Sequence, residues 1–332
     1  MRILVMGAGS VGSAIGGYLS KNHDVLLVGR GAHMEAVGRQ GLSIQGILGS
    51  SHHKPLACDE VDLGGHTFLA KPVDVIFLTV KSPSTVAAAH KLLEVLPDPV
   101  GPIWVHIQNG MGNYEAIQEA FRSSDLKSRP LLLSGMTITG YEIPEPGSVN
   151  ITVYGGPGKI GSIAARADSL KPHVSGSADD SAKELVELLS ETPLVFEYTD
   201  QMISYLWAKL LYNCCLNPLG ALLKVPYGKL RVSPALDLMK DILTEAFSLA
   251  REEQVPLFWA SPEEYFEHLL GTLIPATALH EPSMLADMEK GRPTEILAMN
   301  GFIAERSKIH GLESPVNSTI VRLIQSASMK NT

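Results

Sequence analysis

The chain has 332 residues, of which 45% are hydrophobic and 19% charged, the balance of an ordinary globular protein rather than a disordered, collagen-like or membrane-spanning one. At roughly 150 residues per domain the length predicts two domains, each large enough for a core of its own. The formal charge is −8, with 15 basic against 20 acidic residues up to Tyr198 and 12 against 15 beyond it. Neither half has the charge of a nucleic-acid-binding module.

The first elements alternate strand and helix. Ile3 to Met6 reads as a buried strand, Val11 to Lys21 as a helix and Asp24 to Val28 as a second strand. The uncharged run from Ile3 to Leu19 is not read as a signal peptide, because Gly7, Gly9, Gly12, Gly16 and Gly17 interrupt it. His52 and His53 lie beside a Ser/Gly-rich stretch with no second ligand pair, and are expected in a solvated loop rather than a zinc site. Val73 to Val80 is a third strand, Ser82 to Leu96 a helix and Ile103 to Ile107 a fourth strand. Continuously apolar strands separated by helices predict a parallel sheet covered on both faces. From Leu131 to Tyr154 the pattern predicts antiparallel additions at the sheet edge.

After about Thr199 the pattern turns helical, over Gln201 to Leu223, Ser233 to Gln254, Pro262 to Leu270 and Arg292 to His310. The domains are therefore placed at 1–198 and 199–332. The three cysteines, Cys58, Cys214 and Cys215, include an adjacent pair and make a poor disulfide framework. With no run of ~20 apolar residues to span a membrane, the expected compartment is the reducing cytoplasm.

Gly7-Ala8-Gly9-Ser10-Val11-Gly12 has the spacing G-x-G-x-x-G and lies between the first strand and the first helix. That context supplies a tight turn, close backbone approach to a pyrophosphate and a helix N-terminus aimed at it. The predicted fold is an N-terminal α/β Rossmann-like domain, with a mostly parallel doubly wound sheet, followed by an all-α C-terminal domain. The second strand ends in Val28-Gly29-Arg30, where NAD-binding chains place a carboxylate. An arginine there suits the 2′-phosphate of NADP(H), through bidentate charge-assisted bonds. Lys81, at the end of the third strand, is a second candidate cation. Asn109-Gly110-Met111-Gly112 follows the fourth strand on the same edge, as a ligand-facing loop or a plain turn.

In the helical half, Lys209, Asn213 and Asn217 recur every four residues and share one face of an otherwise apolar helix. Such a stripe is costly to bury unless satisfied. A binding site or a structural network between helices would each satisfy it.

Taken together, GAGSVG at 7–12, Arg30, Lys81, NGMG at 109–112 and Lys209-x3-Asn213-x3-Asn217-Pro218-Leu219 resemble the ketopantoate reductases (2-dehydropantoate 2-reductases). Ser283-Met284-Leu285-x-Asp287 and Thr294-Glu295-Ile296 before Asn300-Gly301 extend the resemblance over nearly the whole chain. It implies NADPH-dependent reduction of 2-dehydropantoate to (R)-pantoate, a step of pantothenate biosynthesis. It further implies Lys209 as proton donor to the ketone oxygen and Glu295 as its active-site partner. Asn213, Asn217 and Ser283 would hold the substrate, Asn109 would lie near both nicotinamide and substrate, and Arg30 and Lys81 would bind the 2′-phosphate. The backbone of Gly7, Ala8, Gly9, Ser10, Val11 and Gly12 would cradle the cofactor, and no metal is implied. A lysine with an ordinary pKa is protonated at neutral pH, so Lys209 is expected to need placement more than activation.

Val225-Pro226-Tyr227-Gly228 departs from that family, which often has Asn where Tyr227 stands. Two other readings share the architecture: a reductase of a different 2-oxo acid, and an NADPH-binding sensor without turnover. The expected partner is a small 2-oxo acid, with no nucleic acid and no membrane; a homodimer is the assembly to test.

Overall fold

Strand β1 (Arg2–Met6) is apolar from Ile3 onward because both of its faces are covered. Side chains alternate along a strand: Ile3 and Val5 enter one buried cluster, Leu4 and Met6 the other. In this computed structural model, which describes residues 1–163 and 177–329, the chain divides into two compact units. One comprises Met1–Gln108 with Asn113–Met202; the other comprises Asn109–Gly112 with Ile203–Thr332.

The first unit begins with β1, α1 (Ser10–Leu19), β2 (Asp24–Gly29) and α2 (Gly31–Gln40), then three short strands, β3 (Leu42–Gly46), β4 (Ser51–His53) and β5 (Leu56–Asp59). It continues with β6 (Val75–Leu78), α3 (Thr85–Val95), β7 (Ile103–Ile107), α4 (Asn113–Ser123) and β8 (Leu131–Met136). Strands β9 (Gly140–Glu142), β10 (Ser148–Val153) and β11 (Gly158–Gly161), helix α5 (Ala178–Ser190) and β12 (Phe196–Tyr198) complete it. Eight strands form the main sheet in the order β12-β11-β8-β7-β6-β1-β2-β5. All of its pairs are parallel except β8 with β11.

Two expectations are corrected here. The region 131–154 is not an antiparallel edge of that sheet. Strand β8 extends it in parallel from β7, while β9 and β10 leave to join β3 and β4 in a separate four-stranded sheet. The reason is burial: Val149 and Ile151 of β10 pack with Leu42 and Ile44 of β3 in the cluster that α1 also enters. His52 and His53 are likewise not in a loop. They lie in β4, antiparallel to β3, with the His53 ring edge-on to Tyr18 at 5.3 Å.

The second unit has helices and no strand among its described residues. It holds α6 (Met202–Leu223, which starts in the first unit), α7 (Ser233–Glu252) and α8 (Pro262–His268). Helix α8 continues through a π turn at Leu269–Leu273 into α9 (Ile274–Ala276), followed by α10 (Ser283–Glu289), α11 (Asn300–Ile309) and α12 (Pro315–Ser328). Leu210, Leu211, Cys214, Cys215 and Leu216 of α6 are fully buried, so this helix is the axis of the unit. The expected helix from Arg292 to His310 is shorter. Only Asn300–Ile309 is α-helical: the unusual backbone of Met299 (φ −110°, ψ −106°) separates it from a single 3-10 turn at Ile296–Ala298, and Pro293 precedes that turn. Helix α10 is only seven residues long, too short for a clear helical pattern in the sequence. Among the described residues no helix is long and apolar enough to cross a membrane, and the three cysteines are buried, unpaired thiols.

Candidate active site

In the first unit the glycine motif forms a tight cradle at the carboxyl end of β1. The N–H groups of Gly7 and Ala8 both donate to the Val28 carbonyl, at 2.9 and 2.8 Å, and the Thr79 hydroxyl donates to the Gly7 carbonyl at 2.7 Å. Gly7 has φ +108°, and a Cβ there would overlap the backbone of Val80, so only glycine fits. Gly9 precedes α1 without any side-chain cap, and a Cβ on it would meet nothing within 4 Å. The first-turn N–H groups of α1, which have no intrahelical acceptor, are thus approachable. That open helix start has the donor set and dipole that a pyrophosphate needs.

Arg30 and Lys81 follow β2 and β6, the two strands that flank β1. The fold therefore puts a cation on each side of the cradle within one unit. The Arg30 side chain is 70% exposed, and its Nε donates to Glu60 Oε2 at 2.6 Å. Asp59 Oδ2 accepts from the Gly31 N–H at 3.1 Å. Its bonds from Val61 and Gly31 hold its carboxyl below the usual carboxylate range. These two carboxylates went unnoticed in the sequence because β5, which aligns Asp59 with Gly29, carries no strong strand signal. Farther along the same edge, Gln108 Nε2 donates to the Val80 carbonyl at 2.8 Å and to the Thr85 hydroxyl at 2.7 Å. Thr85 in turn donates to Asn113 Oδ1 at 2.9 Å, which fixes the strand ends that follow β6 and β7.

The second cluster lies wholly in the helical unit. Helix α6 carries Lys209, Asn213 and Asn217 on one face, and Glu295 is brought near enough for its carboxylate to act on the Lys209 ammonium. Lys209 keeps part of its side chain accessible. Desolvation by the surrounding protein nonetheless lowers its pKa to about 8, against an upward pull from Glu295. Lys209 is expected to need placement more than activation; burial among apolar neighbours on α6 adds to that placement a weaker hold on the proton.

Glu295 is only 8% exposed and receives a hydrogen bond from Asn109 Nδ2 at 3.1 Å. The loop bearing Asn109 belongs to the helical unit. It is docked by the Met111 N–H on the Ala298 carbonyl at 2.7 Å. Gly110 has φ +79°, and a Cβ on it would overlap Ala298. Buried Asp287 pairs with Arg292 at 2.9 Å, which ties the turn leading to Glu295 back onto α10. Asn300 donates to the Cys214 carbonyl at 3.2 Å and to Asn317 at 2.9 Å. It binds helices together and does not face the lysine stripe as a ligand.

Beyond Lys209 the stripe forms a chain of amides. Asn217 Nδ2 donates to Asn213 Oδ1 at 3.3 Å, and the Tyr227 hydroxyl donates to Asn217 Oδ1 at 3.1 Å. All three residues are buried. Ser283 is exposed at the start of α10. That helix start meets α6 where Pro282 packs on Gly220, one turn beyond Asn217. Among the described residues no group of three or more His, Cys, Asp or Glu could hold a metal ion.

Two family models match the chain. Residues 3–165 match the family described as Ketopantoate reductase PanE/ApbA, and residues 201–328 match Ketopantoate reductase PanE/ApbA C terminal. A 2-dehydropantoate 2-reductase of Aquifex aeolicus is 31% identical, covering 100% of this chain and 98% of its own. Among solved structures, a PanE/ApbA family ketopantoate reductase from Ralstonia eutropha JMP134 has a TM-score of 0.81 at 24% identity, covering 100% and 99% of the two chains. A D-mandelate dehydrogenase with NADH and anilino(oxo)acetate has a TM-score of 0.82 at 24% identity, with the same coverage. At that identity the likeness of the two structures is one of fold.

Proposed function

The chain belongs to the ketopantoate reductase family, and we propose that it catalyses the NADPH-dependent reduction of 2-dehydropantoate to (R)-pantoate in pantothenate biosynthesis. The observation that supports this most is the pairing of a desolvated Lys209 with the buried carboxylate of Glu295, on a helix face lined by amides.

When bound, NADPH supplies the hydride that reduces the C2 carbonyl of the oxo acid. Gly7 to Gly12 and the first turn of α1 would hold its pyrophosphate, and Arg30 and Lys81 its 2′-phosphate. Lys209 holds the proton that passes from Nζ to the ketone oxygen as negative charge builds there. A pKa of about 8 keeps that proton on Lys209 at neutral pH and makes it a better donor than an ordinary lysine. Glu295, steadied by Asn109, keeps the ammonium charged and oriented. Asn213, Asn217 and Ser283 receive the substrate's carboxylate and hydroxyl. With its thiols unpaired, the protein is assigned to a reducing cytoplasm.

The test is a panel of 2-oxo acids supplied with NADPH, with consumption of reduced cofactor and the alcohol product both measured. The proposal expects 2-dehydropantoate to give the highest kcat/KM and (R)-pantoate as product. A clear preference for another 2-oxo acid, such as an aryl one, would replace it with a reductase of a different 2-oxo acid on the same architecture.

A further inference from the structure

We propose that Tyr227 is a positioning residue that sets the polarity of the substrate-binding amides, acting through Asn217 on Asn213. The inference rests on the reading of this stripe as the oxo-acid site.

An asparagine side chain presents two donors on nitrogen and an acceptor on oxygen, so a row of amides can run in either direction. Here the direction is defined at one end. The Tyr227 hydroxyl donates to Asn217 Oδ1 at 3.1 Å, which leaves Asn217 Nδ2 to donate to Asn213 Oδ1 at 3.3 Å. With its oxygen taken, Asn213 has its Nδ2 donors left, and no described residue accepts from them. The row therefore ends in a donor, the polarity that a carboxylate requires. The reverse direction would turn the Asn213 carbonyl oxygen toward an anionic substrate.

Tyr227 is held firmly enough to impose this order. It is 2% exposed, its own N–H donates to the His280 carbonyl at 3.1 Å, and the next N–H, of Gly228, donates to the Ala278 carbonyl at 2.9 Å. Its ring sits edge-on to Tyr212 at 5.8 Å and beside His280 at 5.4 Å. The Tyr212 hydroxyl is itself committed to Thr277 at 2.9 Å, so the Tyr227 hydroxyl is the group in this packing that reaches the amide row. A residue that departs from the usual family sequence thus acquires a function that an asparagine, with both donor and acceptor, would not enforce as strictly.

The test is a double-mutant cycle on the full-length enzyme, using Tyr227→Phe, Asn213→Ala and the double variant with the best 2-oxo acid of the wild type. Tyr227→Phe keeps the ring packing and removes only the hydroxyl. It is expected to raise KM for the oxo acid about five- to tenfold, the size of one net hydrogen bond, while KM for NADPH stays unchanged. In the Asn213→Ala background the same change should add less than about twofold, since coupled residues are non-additive. Equal penalties in both backgrounds, no penalty in either, or a matching rise in KM for NADPH would overturn the inference. If the wild type prefers a 2-oxo acid other than 2-dehydropantoate, the substrate assignment fails and the cycle is judged on that acid. A wild type that reduces no 2-oxo acid overturns both.

Discussion

Asn109 and Glu295 lie 186 positions apart in sequence, and the Asn109 amide donates to a Glu295 carboxylate oxygen at 3.1 Å. That bond fixes the carboxylate that faces Lys209. Hydrogen bonds to a charged group carry about 1.5–3 kcal/mol. Asn109→Ala is therefore expected to lower kcat/KM for the oxo acid by about tenfold or more, measured at saturating NADPH. A change under twofold would mean that Glu295 is held without it.

Lys209, with a pKa lowered to about 8 by burial, must carry its proton for the reduction to proceed. Below that pKa the acid is in place, so kcat for reduction should be level near neutrality and fall as pH rises through about 8. Because Glu295 raises the Lys209 pKa, Glu295→Gln removes the upward pull and should move the falling limb to lower pH. A pH–rate profile of both proteins decides the sign. An unmoved limb, or one moved to higher pH, would separate Glu295 from the titration of Lys209.

The two glycine loops should respond differently to a methyl group. Gly110, with φ +79° and Ala298 against it, is expected to lose roughly 1–3 kcal/mol of stability on change to Ala, read as a lower Tm. Gly9, in extended backbone with open space around it, should keep its Tm on change to Ala and lose cofactor affinity, because the methyl occupies the approach to α1. Unchanged NADPH binding in Gly9→Ala would place the pyrophosphate elsewhere.

Arg30 tests the choice of cofactor. Its guanidinium is exposed and engages Glu60 through Nε, and an arginine can offer a phosphate further charge-assisted bonds from its remaining N–H groups. Arg30→Ala should raise KM for NADPH far more than KM for NADH. Equal effects would leave the 2′-phosphate without a partner at this position.

Much of this arrangement was legible in the sequence where a local pattern carries it. Apolar β1, the glycine motif and α1 follow one another with no long-range help, and the four-residue spacing of Lys209, Asn213 and Asn217 sets their shared face. The second sheet was not legible, because β4 and β9 are three-residue strands without a buried side chain and β3 finds its partner β10 about a hundred positions away. Glu295 reads locally as an ordinary charged residue near a helix start. Its place beside Lys209 depends on the Asp287–Arg292 tie and on the docking of Met111 against Ala298, contacts that join distant segments. The partners of Tyr227 were hidden for the same reason.

The central claim is that Lys209 gives the proton to the reduced carbonyl, and the direct measurement is Lys209→Ala turnover alongside its binding of NADPH. General-acid assistance is worth about 10²–10⁴ in rate, so kcat for 2-dehydropantoate should fall by at least that range while the Kd for NADPH stays that of the wild type. Near-normal turnover in that variant would contradict the account.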